Sequence, residues 1–150
     1  MRSFYIILTL FVIIILGNSN KLFAQSGQEL VDICGMVAGD DATYLKDFQV
    51  KLEAAKPGEE PPRAAHSVVL SRNTKYRFSI CNSKDFPGEA IIQIYDSNRL
   101  LGTTYLVATG KSYPSVDLRC TQTGVYHIFI TFKEGKQGMA VALLSFVERF

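Results

Sequence analysis

The side chains with reactive potential are few. Cys34 or Cys120 with His66 or His127 are the thiol–imidazole combinations that a nucleophilic mechanism would use. Neither cysteine stands in a sequence context that marks such a nucleophile. His127 lies inside the alternating stretch VYHIFITF, where a cross-strand packing role is the simpler reading. Two isolated histidines do not have metal-ligand spacing. Asp40-Asp41 is an acidic pair without the D-x-D-x-D-G surroundings of a calcium loop, so Asp41 reads as a cap or a solvated loop residue. No glycine-rich phosphate loop occurs. No catalytic residue, metal ligand or cofactor site is therefore assigned, and a Cys–His hydrolase is the weakest functional reading.

Sugar binding is the second chemistry to weigh. Tyr95, Tyr105, Tyr113 and Tyr126 are the candidate ligand-contact aromatics, and the chain contains no Trp. The same rings fit a core or cross-strand pairs equally well. The three cysteines, Cys34, Cys81 and Cys120, are candidates for one disulfide and one free thiol. Cys81 and Cys120 each end an expected strand. If those strands are antiparallel neighbours, their C-terminal ends lie at opposite edges, too far apart to bridge. Cys34 with Cys81 and Cys34 with Cys120 stay open, as does a reduced state with small buried thiols.

The elements that position these residues begin after a targeting segment. Arg2 precedes a 13-residue run, Phe4 to Leu16, interrupted only by Thr9; a polar break and Leu22-Phe23-Ala24 follow. This is the layout of a secretory signal peptide over residues 1–24, cut after Ala24. A membrane anchor needs about 20 apolar residues, so membrane attachment requires the segment to be retained. Arg2 and Lys21 leave with the signal, so 14 basic side chains remain from the 16 and balance the 14 acidic ones. A neutral domain lacks the electrostatic footprint of a nucleic-acid binder.

Residues 25–150 form a single expected domain. Ser26 and Glu29 make a capping-box pattern, and Leu30, Ile33, Cys34 and Val37 form one apolar stripe, which predicts a short helix over 27–38 ended by Gly39. From Lys46 the pattern is strand-like. Phe48, Val50 and Leu52 alternate with polar residues; KPGEEPPR (56–63) is a loop that cannot join a ladder. Expected strands follow at 66–70, 75–81, 89–96, 100–107, 113–120, 125–132 and 139–147. Val125, His127, Phe129 and Thr131 should take one face of their strand, and Tyr126, Ile128, Ile130 and Phe132 the other. MAVALLSFV reads as a buried central strand. About eight short strands between turn signals predict an all-β, antiparallel β-sandwich of jelly-roll type with one N-terminal helix.

Residues 66–147 carry a resemblance. HSVVLSRNTKYRFSI, AIIQIYDSNRLLGTT and SVDLRCTQTGVYHIFI are similar to strand–turn–strand segments of the bacterial pre-peptidase C-terminal domain. The resemblance implies a non-catalytic β-sandwich, of the kind appended to secreted hydrolases, with a role in substrate or surface binding. It carries over no site residues. No protease domain accompanies it in this chain, so an accessory role needs a partner on another polypeptide.

The combined expectation is an exported protein (periplasmic, cell-surface or secreted) that is not an enzyme and binds another envelope or secreted protein. A carbohydrate-binding module using the tyrosines is the alternative.

Overall fold

The structure is a computed structural model and describes residues 21–150. Residues 1–20, most of the expected signal segment, lie outside the described residues.

Helix α1 spans Lys21–Ala38. It begins six residues before the expected start at 27. Leu22, Phe23, Ala24 and Gln25 contain no breaker, so in this chain the helix runs through the Ser26–Glu29 capping box. The expected cut after Ala24 falls in the first turn of α1. The C-terminus is where the glycine placed it: Gly39 takes φ 88°, and its N–H donates to Met36 O at 3.3 Å.

The strands are β1 (Thr43–Leu52), β2 (Ala64–Leu70), β3 (Thr74–Asn82), β4 (Ala90–Asp96), β5 (Arg99–Thr103), β6 (Tyr105–Leu106), β7 (Lys111–Ser112), β8 (Ser115–Cys120), β9 (Gly124–Phe132) and β10 (Gly138–Arg149). One sheet has the order β1-β10-β3-β8 and a second β2-β9-β4-β5; β6 and β7 form a separate short ribbon. All pairings are antiparallel. β1 pairs with β10, β2 with β9, β3 with β8, and β4 with β5. That nesting is a long hairpin rolled up on itself, which is the jelly roll. The expected fold class is therefore observed. The difference lies at 100–107, where Thr104 divides the expected strand into β5 and β6 and the ribbon adds β7.

The two sheets bury one core between them. Phe78, Ile92, Ile94, Ile128 and Ile130 are fully buried there, with Phe48, Val50, Tyr76, Leu118, Tyr126, Phe132 and Leu144 around them. Burying each large aliphatic side chain contributes about 1.5–3 kcal/mol. β10 explains its own composition. Ala140, Ala142 and Leu144 face this core, and Val141 and Leu143 face the opposite way, into a second cluster with Leu30, Cys34 and Cys81. α1 thus roofs the outside of the first sheet, and an apolar residue is needed on both faces of β10.

The roof uses only half of the expected stripe. Leu30, Cys34 and Ala38, spaced four apart, are buried against the sheet, whereas Ile33 and Val37 remain 43% and 40% exposed. The contact row is narrower than the apolar pattern because a helix on a flat sheet touches it along one line.

Candidate protein-interaction face

Among the described residues, the second sheet, β2-β9-β4-β5, carries no helix on its outer side. Register assigns that side in rows. Val69 stands beside Val125; Ser67, His127, Tyr95 and Leu100 form the next row; Ala65, Phe129, Gln93 and Thr103 the next; Thr131 and Ile91 the last. The alternation in β9 puts them there, because Tyr126, Ile128, Ile130 and Phe132 are committed to the core. Val69 and Val125 are 72% and 53% exposed, and Leu100 is exposed as well. None of the twelve outward positions is a carboxylate.

The face continues into an open groove of about 890 Å³, lined by Glu60, Pro61, Arg63, Ile91, Tyr105, Thr131, Phe132, Lys133, Glu134 and Gly135. Its walls are the proline-rich loop before β2, the 3-10 turn Lys133–Gly135 that packs beside that loop, and Tyr105 of the β6–β7 ribbon. The ribbon is pinned at its base by Thr104. That residue is buried, exchanges backbone bonds with Ile92 O (3.0 Å) and Tyr113 N (2.8 Å), and accepts the Ile92 N–H on its hydroxyl at 2.9 Å. Glu89 joins the wall to the sheet. It accepts from Lys133 Nζ at 3.0 Å, and its carboxyl is held below the usual range by the Ser112 hydroxyl first and by Lys133 second. Two cations lie over rings here: Lys133 Nζ is 4.5 Å from the Tyr105 centroid, and the Arg63 guanidinium carbon is 4.7 Å from that of Phe129.

The candidate tyrosines are scattered rather than aligned. Tyr95 is on the open face, with its ring edge-on to Phe129 (centroids 5.5 Å apart, planes at 74°). Tyr105 sits in the groove under Lys133, and Tyr113 is exposed in the segment before β8. Tyr126 is not a surface aromatic: it points into the core, donates its hydroxyl proton to Gln122 O at 2.7 Å, and burial together with Cys120 pushes its pKa up to about 12. Strand alternation commits its ring inward, which removes it from the ligand-contact set. Near-perpendicular Tyr95 and Phe129 rings do not make a flat sugar platform.

The cysteines and histidines stand apart. Cys34 and Cys81 are disulfide-bonded beneath α1, with Cα atoms 5.5 Å apart. Cys120 is a buried free thiol against Gln122 O and the Tyr126 hydroxyl. β3, with Cys81 next to its last residue, and β8, which ends in Cys120, are antiparallel neighbours, with Thr74 and not Cys81 opposite Cys120. His66 is turned inward against the Phe48 ring, at 4.7 Å, and its pKa is lowered by burial and by Lys46. His127 lies on the open face, its Nδ1 3.0 Å from Ser67 Oγ.

That Ser67–His127 contact and the Arg63–Phe129 stack were invisible to spacing, because β2–β9 register alone creates them. Ser67 and His127 do not build a hydrolytic centre. They sit on a flat sheet open to water, and among the described residues no carboxylate bonds the imidazole. Among the described residues no group of three or more His, Cys, Asp or Glu side chains converges to hold a metal. No helix of the described residues is long and apolar enough to cross a membrane.

No protein-family model matches the chain, and a search of curated proteins finds no match. Among solved structures the chain is similar to Aeromonas hydrophila PliG, a periplasmic lysozyme inhibitor of g-type lysozyme. The TM-score is 0.51 at 10% identity, over 69% of this chain and 87% of PliG. At this identity the likeness concerns the fold.

Proposed function

We propose that this chain is an exported, non-catalytic protein-binding domain, cut after Ala24, and that its partner is another envelope or secreted protein docking on the outer face of β2-β9-β4-β5. One observation carries the reading: α1 roofs one sheet, while the other leaves Val69, Val125, Leu100, Tyr95 and Phe129 on its outside without a covering element among the described residues. Bare apolar and aromatic side chains on a rigid sheet are the raw material of protein interfaces. Three further observations support it. The Cys34–Cys81 bond belongs to an oxidising compartment. PliG, of similar fold, is a periplasmic inhibitor of g-type lysozyme. The resemblance to the pre-peptidase C-terminal domain over residues 66–147 implies the same non-catalytic class.

The test is photo-crosslinking in the producing cells, with a benzophenone amino acid at Val69 or Val125, and at Met36 on α1 as a control. A discrete protein adduct from the two sheet positions is expected. Adducts from Met36 alone would relocate the interface, and polysaccharide retention lost on Tyr95→Ala would return the sugar reading. Inhibition of a g-type lysozyme by the purified chain tests one specific partner.

A further inference from the structure

The open face has a charge asymmetry that narrows the chemistry of what it binds. Two of the four strand-borne arginines are paired with acids, and a third, Arg119 on the edge strand β8 of the first sheet, lies over the Phe150 ring at 4.1 Å. Arg77 is shared by Asp41 and Asp117, and Arg99 pairs with Asp96. In the groove, Lys133 is taken by Glu89 and Glu134 by Lys136. Of Arg63 and Arg119, Arg63 is the one beside the open face: its guanidinium lies over the Phe129 ring, and among the described residues it has no carboxylate partner. A guanidinium resting over a ring without an acid partner keeps its N–H donors available, and its planar fork loses little freedom when it binds a carboxylate through two parallel bonds. The surface beside it carries no outward acid in any of its rows, so an incoming carboxylate meets no like charge there. Of the acids that line the groove, Glu134 is paired with Lys136, and Glu60 lies in the same loop as Arg63. The floor next to Arg63, Ile91 and Thr131, is apolar with one hydroxyl.

We infer that Arg63, stacked on Phe129, is the anchor for an Asp or Glu side chain on an acidic, partly apolar segment of the partner protein, which lies along the groove and the open face. This rests on the reading that the open face binds a protein, and it states which protein surfaces fit. Arginine in a preorganised, ring-supported position is a typical dominant contact of an interface.

The test is selection of a random dodecapeptide display library on the purified chain, followed by binding of the enriched peptides to Arg63→Gln, Arg63→Lys and Phe129→Leu. The expected result is an Asp- or Glu-containing consensus with adjacent apolar residues. Its affinity should drop about tenfold in Arg63→Gln, drop less in Arg63→Lys and Phe129→Leu, and fall with added salt. Enriched peptides without an acid, acidic peptides indifferent to Arg63→Gln, or no enrichment over an unrelated chain would each overturn the inference. The parent reading is judged separately. Peptides without acids that crosslink to Val69 or Val125 leave the face a protein-binding surface and remove only the Arg63 anchor. Absence of any protein adduct from those positions in cells removes both.

Discussion

Cys34 on α1 is joined to Cys81 near the end of β3, and this bond clamps the helix onto the outer side of the first sheet beside Val141 and Leu143. It closes a loop over a sequence separation of 47. On a chain-entropy account, opening that loop costs about 4 kcal/mol of stability. Cys34→Ser/Cys81→Ser, or reduction of the native chain, should therefore lower the urea midpoint well below that of the oxidised protein. The matched control is Cys120→Ser, which keeps the bond: its midpoint should fall on reduction as the native chain's does, whereas that of Cys34→Ser/Cys81→Ser should be insensitive to reductant. Reductant sensitivity that survives in Cys34→Ser/Cys81→Ser, or that disappears in Cys120→Ser, would sink the assignment of the bond.

Arg77 is the second fastening of α1. Its Nη1 donates to Ala38 O at 2.8 Å and to Asp41 at 2.7 Å, while Nε and Nη2 hold Asp117 at 2.7 and 3.0 Å. One side chain thus satisfies a helix-end carbonyl and bridges β3 to β8. Arg77→Ala should cost about 1–2 kcal/mol, discounted for the partial exposure of the cluster. Arg77→Lys should recover only part, since an ammonium cannot reproduce the fork. Urea titration followed by helical circular dichroism measures both. The same contacts hold the Asp41 and Asp117 carboxyls below their ordinary value of 3.8, with hydrogen bonding by Arg77 as the first cause in each. Their contribution is complete above that value and is lost as pH falls through the lowered ones.

Much of this architecture was legible because it rests on alternation. Tyr126, Ile128, Ile130 and Phe132 had to share a face, and the continuous apolar run of β10 had to be covered on both sides. What stayed hidden depended on register or on single bonds. Thr104 looks like any strand residue, yet its hydroxyl takes the Ile92 N–H, and the strand is divided there into β5 and β6. Ser67 and His127 are 60 residues apart and meet only because β2 pairs with β9 in one register. Tyr126 has the composition of a surface aromatic and the parity of a core one, and parity decided its place. Of the three cysteines, only the packing of α1 selects Cys34 with Cys81.

His66 gives the fold a second pH dependence, at higher pH than the carboxylates. Its Nε2 is buried without a hydrogen-bond partner among the described residues, its ring packs on Phe48, and burial, followed by Lys46, lowers its pKa from 6.5. The unfolded chain therefore binds a proton here more readily than the folded one. Stability should be full above about pH 6.5, decline as pH falls from there to the lowered folded value, and level off below it. His66→Phe should flatten this part of a stability–pH curve while leaving the carboxylate-dependent loss below pH 4 in place. An unchanged slope immediately below pH 6.5 in that variant would assign the dependence elsewhere.

Val68 and Val69 are adjacent in sequence and opposite in environment: Val68 is in the core at 8% exposure, and Val69 stands on the open face at 72%. The same small substitution therefore separates folding from binding. Val68→Thr places a hydroxyl among apolar side chains and should cost about 1–3 kcal/mol for the unpaired polar group. Val69→Thr keeps the β-branched shape in contact with water, so the unfolding free energy from urea titration should change by no more than about 0.5 kcal/mol. Val69→Asp should likewise stay folded, and by setting a carboxylate on a face that has none it should abolish adduct formation from a benzophenone at Val125. If Val69→Asp binds like the original chain while Val68→Thr is as stable as it, the strand is turned the other way, and the face described above is not the surface presented to a partner.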